Sequence, residues 1–422
     1  MTAPPHLIKG WCPGALRPMT SGDGLLVRIR PRAGVFTIPA LQLIAEVAER
    51  FGSGEVDLTN RGNLQLRGLS EDSHDGAIAA LRDAGLIDRT PEIEAVRNIV
   101  VGPLSGIDPE LADIRGLAAR FEDVLAEDSH LWALPAKFGF SFSGSRELHV
   151  GGRTADVMVA SLDRGFVIGL DGAADLCAAV PEDSLIAAVH GLALVFIDLA
   201  ARDPALRRMG DAVARFEATR IFEMAGLKAS PRSWEAETHS PPAGLLARGD
   251  VVFGVGVGLP FGRINAGQLK RLCEAAGQAN AGAVFTSPKR ILVFSIADRI
   301  CAERLLHAAD ELHLISSADD VRLGMDVCTG SPGCRNATTD TRRDAQRLAE
   351  TLNGALLGHS VHISGCAKGC ACRSPADVTV VAHSGRYDLI RNGCPGDAVA
   401  IAGLEPDDIS NAVSRFILEA AS

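Results

Sequence analysis

The chain lacks an apolar core of signal-peptide length at its start, and no stretch reads as the uninterrupted apolar run of a membrane helix; the expectation is a cytoplasmic protein without membrane association. A basic excess is also missing. The formal net charge of −10 argues against nucleic-acid binding, which needs a face that neutralises phosphates, and leaves room only for a local basic pocket. Ten cysteines among 422 residues are too sparse for a secreted disulfide scaffold. Low-complexity tracts are absent, and a composition of 47% hydrophobic and 22% charged residues describes a globular chain long enough for more than one core.

What is present is a chain built twice. The segment from Leu25 to Leu69 reads as strand, turn, amphipathic helix and a strand pair with Thr59, Asn60 and Arg61 between its strands. A second segment, beginning at Val251, repeats it: in a gap-free overlay Gly34 falls on Gly262, Leu41 on Leu269 and Arg61 on Lys289. Each copy is followed by a further echo, a strand–turn–strand starting at Ala155 and again at Ala376. Either echo alone would pass for coincidence, but two in the same order do not. Between the halves, residues 183–226 are helical in period and residues 228–250 form a Pro-containing connector. The expected organisation is a small unit over 1–75, a larger unit over 76–226, linker and second small unit over 227–315, and a second larger unit over 316–422.

The cysteines are unevenly spread. Cys12, Cys177, Cys273 and Cys301 are scattered and read as small buried hydrophobes. In the last quarter Cys328 and Cys334 are separated by five residues, and Cys366 and Cys370 by three, with a helix-patterned stretch between the pairs. Four thiolates in two pairs suit a 4Fe–4S cubane, each of whose irons takes one cysteine sulfur. Zinc competes for such a set, although its ribbons favour tighter spacing in both pairs. Cys372 and Cys394 are left over and are read as non-ligands.

The paired cysteines resemble the cluster signature of siroheme-dependent nitrite and sulfite reductases, and the duplicated layout is similar to that superfamily over nearly the whole chain. The resemblance implies an α+β fold in which two ferredoxin-like half-repeats and two larger α/β units are arranged about a pseudo-twofold axis, with the tetrapyrrole between the halves. It gives Cys370 the further role of facing the tetrapyrrole, as the bridge to siroheme in the reductases. Three stretches resemble the family's anion-binding positions: Thr59 to Gln65, Arg97-Asn98, and Leu134 to Phe138 around Lys137. Arg61, Arg97 and Lys137 are the implied carboxylate-gripping residues, joined by Gln65, Asn98, Lys289 and Lys368 as tetrapyrrole contacts; Arg67, Arg335 and Arg373 are further basic candidates by proximity.

One departure separates this chain from the reductases. They carry a second lysine two residues after the first, where this chain has Gly139, and losing that charge weakens the grip on a small dianion. The loop from Ser364 to Ala371 and the segment from Gly10 to Ile29 resemble instead the precorrin-3B synthases. That resemblance implies a monooxygenase acting on precorrin-3A with dioxygen and an electron donor the sequence does not reveal. It also implies a mononuclear non-haem iron, for which His359 and His362 are the nearest imidazoles in sequence to the cluster cysteines; His362 reads first as a packed strand residue. A siroheme-dependent reductase and a non-catalytic tetrapyrrole or cluster carrier are the rival readings.

Overall fold

A computed structural model describes residues 13–145, 155–231, 242–287, 290–372 and 374–420. Cys12, Lys289 and Arg373 lie outside the described residues. In the first small unit the helix Ile38–Phe51 starts where the Thr37 side chain accepts from the Ala40 N–H at 3.2 Å, and it turns Leu41, Ile44, Ala45, Val47 and Ala48 inward. Its copy, Ala266–Gln278, starts on a reciprocal cap between Asn265 and Gln268 and buries Leu269, Leu272, Cys273 and Ala276. Thr37 and Asn265 occupy the same place in the overlay of the two copies.

The two small units complete each other's sheets. Just before each helix the chain passes through two left-handed residues, Ala33 and Gly34 (φ 49° and 75°) in the first copy and Phe261 and Gly262 (φ 53° and 74°) in the second. The turn carries the next residues out of their own sheet. Val35–Phe36 pairs antiparallel with Val284–Thr286 of the second unit, and Arg263–Asn265 pairs antiparallel with Glu55–Leu58 of the first. Each sheet thereby gains its fifth strand from the other copy. One core runs through both, with Val27, Leu41, Ile44 and Leu66 in the same cluster as Val255, Leu269, Leu292 and Phe294. The expected boundaries treat each small unit as self-contained, whereas the exchanged strands cross them.

The larger units share a topology. In one, Ile99–Val101, Phe140–Ser143 and Val157–Ser161 run parallel and are continued by the antiparallel strands Phe166–Leu170, Ala173–Val180 and Ala229–Pro231. In the other, Met325–Val327, Val361–Ser364 and Ala376–His383 run parallel, followed by antiparallel Arg386–Gly393 and Ile401–Leu404. A helix links the first two strands in both, Arg115–Glu127 and Thr341–Leu352. The helix Glu182–Arg202 corrects one expectation, being long and apolar enough by composition to cross a membrane. Its apolar run is used in packing: Leu185, Val189, Leu192 and Phe196 are buried among the side chains of its unit.

Candidate functional site

Cys328 follows the strand Met325–Val327 and Cys366 follows Val361–Ser364, so the parallel pairing of these strands brings both cysteine loops to one sheet end. Backbone bonds fix them together. The Cys328 N–H donates to the Ile363 carbonyl at 3.1 Å, Cys334 N–H to Gly330 at 2.8 Å, and Thr338 N–H to Gly365 at 3.2 Å. The Gly365 N–H donates to Cys328 Sγ at 3.1 Å, the kind of contact that supports a ligand sulfur. Gly330 has φ 70°, and a Cβ there would stand 2.4 Å from Thr341 Oγ1, so only glycine fits this turn.

No disulfide joins the described cysteines. Burial raises the Cys366 thiol above its ordinary range. Desolvation, opposed by Lys368 and reinforced by Cys366, Cys328 and Cys334, pushes the Cys370 thiol up to about 11. Cys370 is nevertheless solvent-exposed. Among the described residues no group of three or more His, Cys, Asp or Glu is gathered tightly enough for a single metal ion. A cubane is a different demand, because it ties each cysteine to a separate iron and so spreads its ligands over the cluster; the donor set of two thiol pairs on joined loops fits it.

The basic residues come to this sheet end from the other half. The turn from Thr59 to Asn63 places the Asn60 side-chain amide 2.9 Å from the Ala371 carbonyl, next to Cys370, while the Arg61 guanidinium donates to the Lys137 carbonyl at 3.2 Å. Three segments distant in sequence therefore meet: the Arg61 turn, the Lys137 segment and the Cys370 loop. Lys137 is exposed and Arg61 half-buried. A shallow pocket beside them is lined by Arg61, Asn63, Asn98, Ile99 and Val100.

The other expected residues differ in how far they are engaged inside the protein. Arg97 is buried in an internal network, with a two-point contact to Asp88 (2.8 and 3.0 Å) and a bond to Glu122 at 3.3 Å, so it is not presented to a ligand. Asn98 is buried and its amide donates to Ala95, Ala136 and Phe138, which holds the backbone on both sides of Lys137. Gln65 is buried and accepts from Arg28 at 3.2 Å. Arg67 is buried against Asp23, and the exposed Arg335 donates to the Ser21 carbonyl at 3.2 Å. Lys368 is half-buried beside Cys366 and Cys370. His362 is fully buried, and among the described residues neither ring nitrogen has a hydrogen-bond partner; burial lowers it to about 4, so it is neutral at physiological pH. His359 is half-buried. Neither imidazole belongs to a ready-made group of three ligands for a mononuclear iron.

Two residues escaped the sequence reading. Arg28 shares the polar face of the first sheet with Gln65, a placement that the alternation in Leu26-Val27-Arg28-Ile29-Arg30 encodes. Asp57 is a buried hub: it accepts from Arg263 of the exchanged strand at 2.7 and 3.1 Å and lies 3.1 Å from Arg342 and 3.6 Å from Arg67. Desolvation would raise its carboxyl, but Arg342 and Arg263, then Arg67, outweigh it and hold the group well below the usual carboxylate range. This stabilisation is full above the unfolded carboxylate value near about 4 and is lost as pH falls toward the depressed one. Asp57→Asn leaves three arginines around a neutral group and should cost about 3–5 kcal/mol in urea unfolding at neutral pH, with the deficit shrinking in acid.

Residues 17–84 match the model of the nitrite/sulfite reductase ferredoxin-like half domain. The solved structure of the Mycobacterium tuberculosis NirA protein superposes with a TM-score of 0.76, covering 93% of this chain and 80% of that one at 19% identity. The fold is that of the nitrite and sulfite reductase superfamily. A ferredoxin–nitrite reductase from Leptolyngbya laminosa is 27% identical over 461 residues, covering 97% of this chain and 89% of that protein. A precorrin-3B synthase from a Sinorhizobium species is 31% identical over 415 residues, covering 97% and 88%. The chain belongs to the precorrin-3B synthase family.

Proposed function

We propose that the chain converts precorrin-3A to precorrin-3B in aerobic cobalamin biosynthesis, hydroxylating a meso carbon and closing a γ-lactone from a ring acetate. The near full-length similarity to a precorrin-3B synthase carries this reading. One oxygen atom of dioxygen enters the substrate and the other leaves as water, with two electrons and two protons drawn from a donor. The proposed ligands of a 4Fe–4S cluster are Cys328, Cys334, Cys366 and Cys370. When bound, the cluster supplies the electrons for reductive oxygen activation.

The chain's own residues position the substrate. Arg61 and Lys137 grip ring carboxylates at the junction of the halves, where fixed orientation decides which carbon reacts. Asn98 keeps the Lys137 segment in place through the Ala136 and Phe138 carbonyls. A reducing cytoplasm, which keeps cysteine thiols available to iron, is the setting this reading implies.

The second reading, a siroheme-dependent nitrite or sulfite reductase, draws support from the similarity to ferredoxin–nitrite reductases. Gly139 counts against it, since the position offers no second cation to a small anion; its N–H donates to Asp156 at 2.8 Å instead. Incubating anaerobically purified protein with precorrin-3A, a reductant and dioxygen should yield a hydroxylated, lactonised product by mass spectrometry, while sulfite and nitrite turn over poorly. Robust sulfite reduction by siroheme-loaded protein, without conversion of precorrin-3A, would reverse the choice.

A further inference from the structure

The strand Leu64–Leu69 carries a bulge. Leu69 pairs with Leu25 and Leu66 with Val27, so Arg67 and Gly68 together face the single residue Leu26. Gly68 has φ 72°, and a Cβ there would stand 2.6 Å from the Ser53 side chain. Leu66 and Leu69 both reach the core across this bulge, and Arg67 is left on the opposite face with its side chain 3% exposed.

Its guanidinium is directed at the first cysteine loop. The Gly333 carbonyl, one residue before Cys334, accepts from Ser21 Oγ at 2.6 Å, from Arg67 Nη2 at 2.7 Å and from the Gly22 N–H at 3.2 Å. All three donors belong to the first small unit. Arg67 is itself held in two-point contact by Asp23, at 2.8 and 2.9 Å. The hairpin at Gly22 fits so closely that a Cβ there would lie 2.2 Å from the Pro332 carbonyl and 3.1 Å from the Cys334 nitrogen.

We propose that Arg67 is a positioning residue which, with Asp23 and Ser21, docks the first small unit onto the Cys328–Cys334 loop and sets the reduction potential of the cluster from the opposite half of the molecule. The inference rests on the assignment of the cluster to Cys328, Cys334, Cys366 and Cys370. Reduction adds one negative charge to a cluster, so a nearby cation favours it and a nearby anion opposes it. An almost fully buried arginine acts there with little screening by salt. Arg67 and Asp23 therefore pull in opposite directions from one ion pair.

That opposition separates the proposal from a merely structural role. In dithionite titrations of the purified, cluster-containing protein followed by electron paramagnetic resonance, Arg67→Met should shift the one-electron equilibrium about tenfold toward the oxidised cluster, about 59 mV downward. Asp23→Asn should shift it upward, and Arg67→Lys, which keeps the charge, should restore most of the wild-type potential. Iron, sulfide and a thermal melt confirm that each variant is folded and loaded. If Arg67→Met does not fold, Asp23→Asn and Ser21→Ala decide, the first moving upward and the second, which removes a donor from the Gly333 carbonyl, downward. Unchanged potentials in loaded variants, or shifts of the same sign for Arg67→Met and Asp23→Asn, overturn the inference. Wild-type protein without iron and sulfide would overturn the ligand assignment, and this inference with it.

Discussion

Replacing any one of Cys328, Cys334, Cys366 or Cys370 with Ser should strip most of the iron and sulfide from the protein. Each thiolate holds a different iron of a cubane, so the loss of one leaves a corner open to solvent and to exchange. The two loops also hold each other, through Thr338 N–H to Gly365 and Gly365 N–H to Cys328 Sγ, so loosening one pair loosens the other. Cys372→Ser and Cys394→Ser are the controls and should retain the cluster. Iron and sulfide analysis with visible absorption reads the result. Full loading in all four ligand variants would sink the assignment, and loss in the control variants would enlarge the ligand set.

Arg61→Ala should weaken tetrapyrrole binding at least thirtyfold while leaving the cluster spectrum intact. A carboxylate that loses its charge-assisted partner in a desolvated site costs about 2–5 kcal/mol, and about 2 kcal/mol is already a factor near thirty. The variant also removes the bond to the Lys137 carbonyl, so a second lysine-directed variant, Lys137→Met, separates loss of charge from loss of shape. Arg97→Ala should behave differently: with Asp88 and Glu122 left without their shared cation in the interior, it should destabilise the fold. Isothermal titration with a porphyrinoid polycarboxylate measures the first effect. Normal affinity in Arg61→Ala would remove that residue from the proposed substrate grip.

The duplication was legible because its markers are local: the glycine pair Gly34 and Gly262, the helix leucines Leu41 and Leu269, and the strand–turn–strand segments that start at Ala155 and Ala376. The grouping of the cysteines was legible for the same reason, since each pair sits on one short loop after one strand. The exchange of strands was not, because Val35 and Phe285 meet across 250 residues and two-residue strands carry no periodicity. Arg97 misled for a related reason. A motif names a residue type, whereas its partner Glu122 arrives from the next helix and converts a candidate ligand-binding cation into an internal ion pair. Asp57 gave no signal at all, since an acid inside a basic motif's sheet looks like ordinary strand polarity until three arginines from three segments converge on it.

The reciprocal strands have a meaning for assembly. A single half with this strand order would end in an unsatisfied sheet edge along Glu55–Leu58 and a stray segment at Val35–Phe36, and neither could be paired within that half. Two identical halves related by a twofold rotation would satisfy each other fully, which is the arrangement of a swapped homodimer. Here that dimer is written into one polypeptide. Once the two subunits are tethered, they no longer have to be equal: the symmetry that obliges a homodimer to present every residue twice is lifted. One subunit can then supply cations and the other thiols to a single asymmetric cleft.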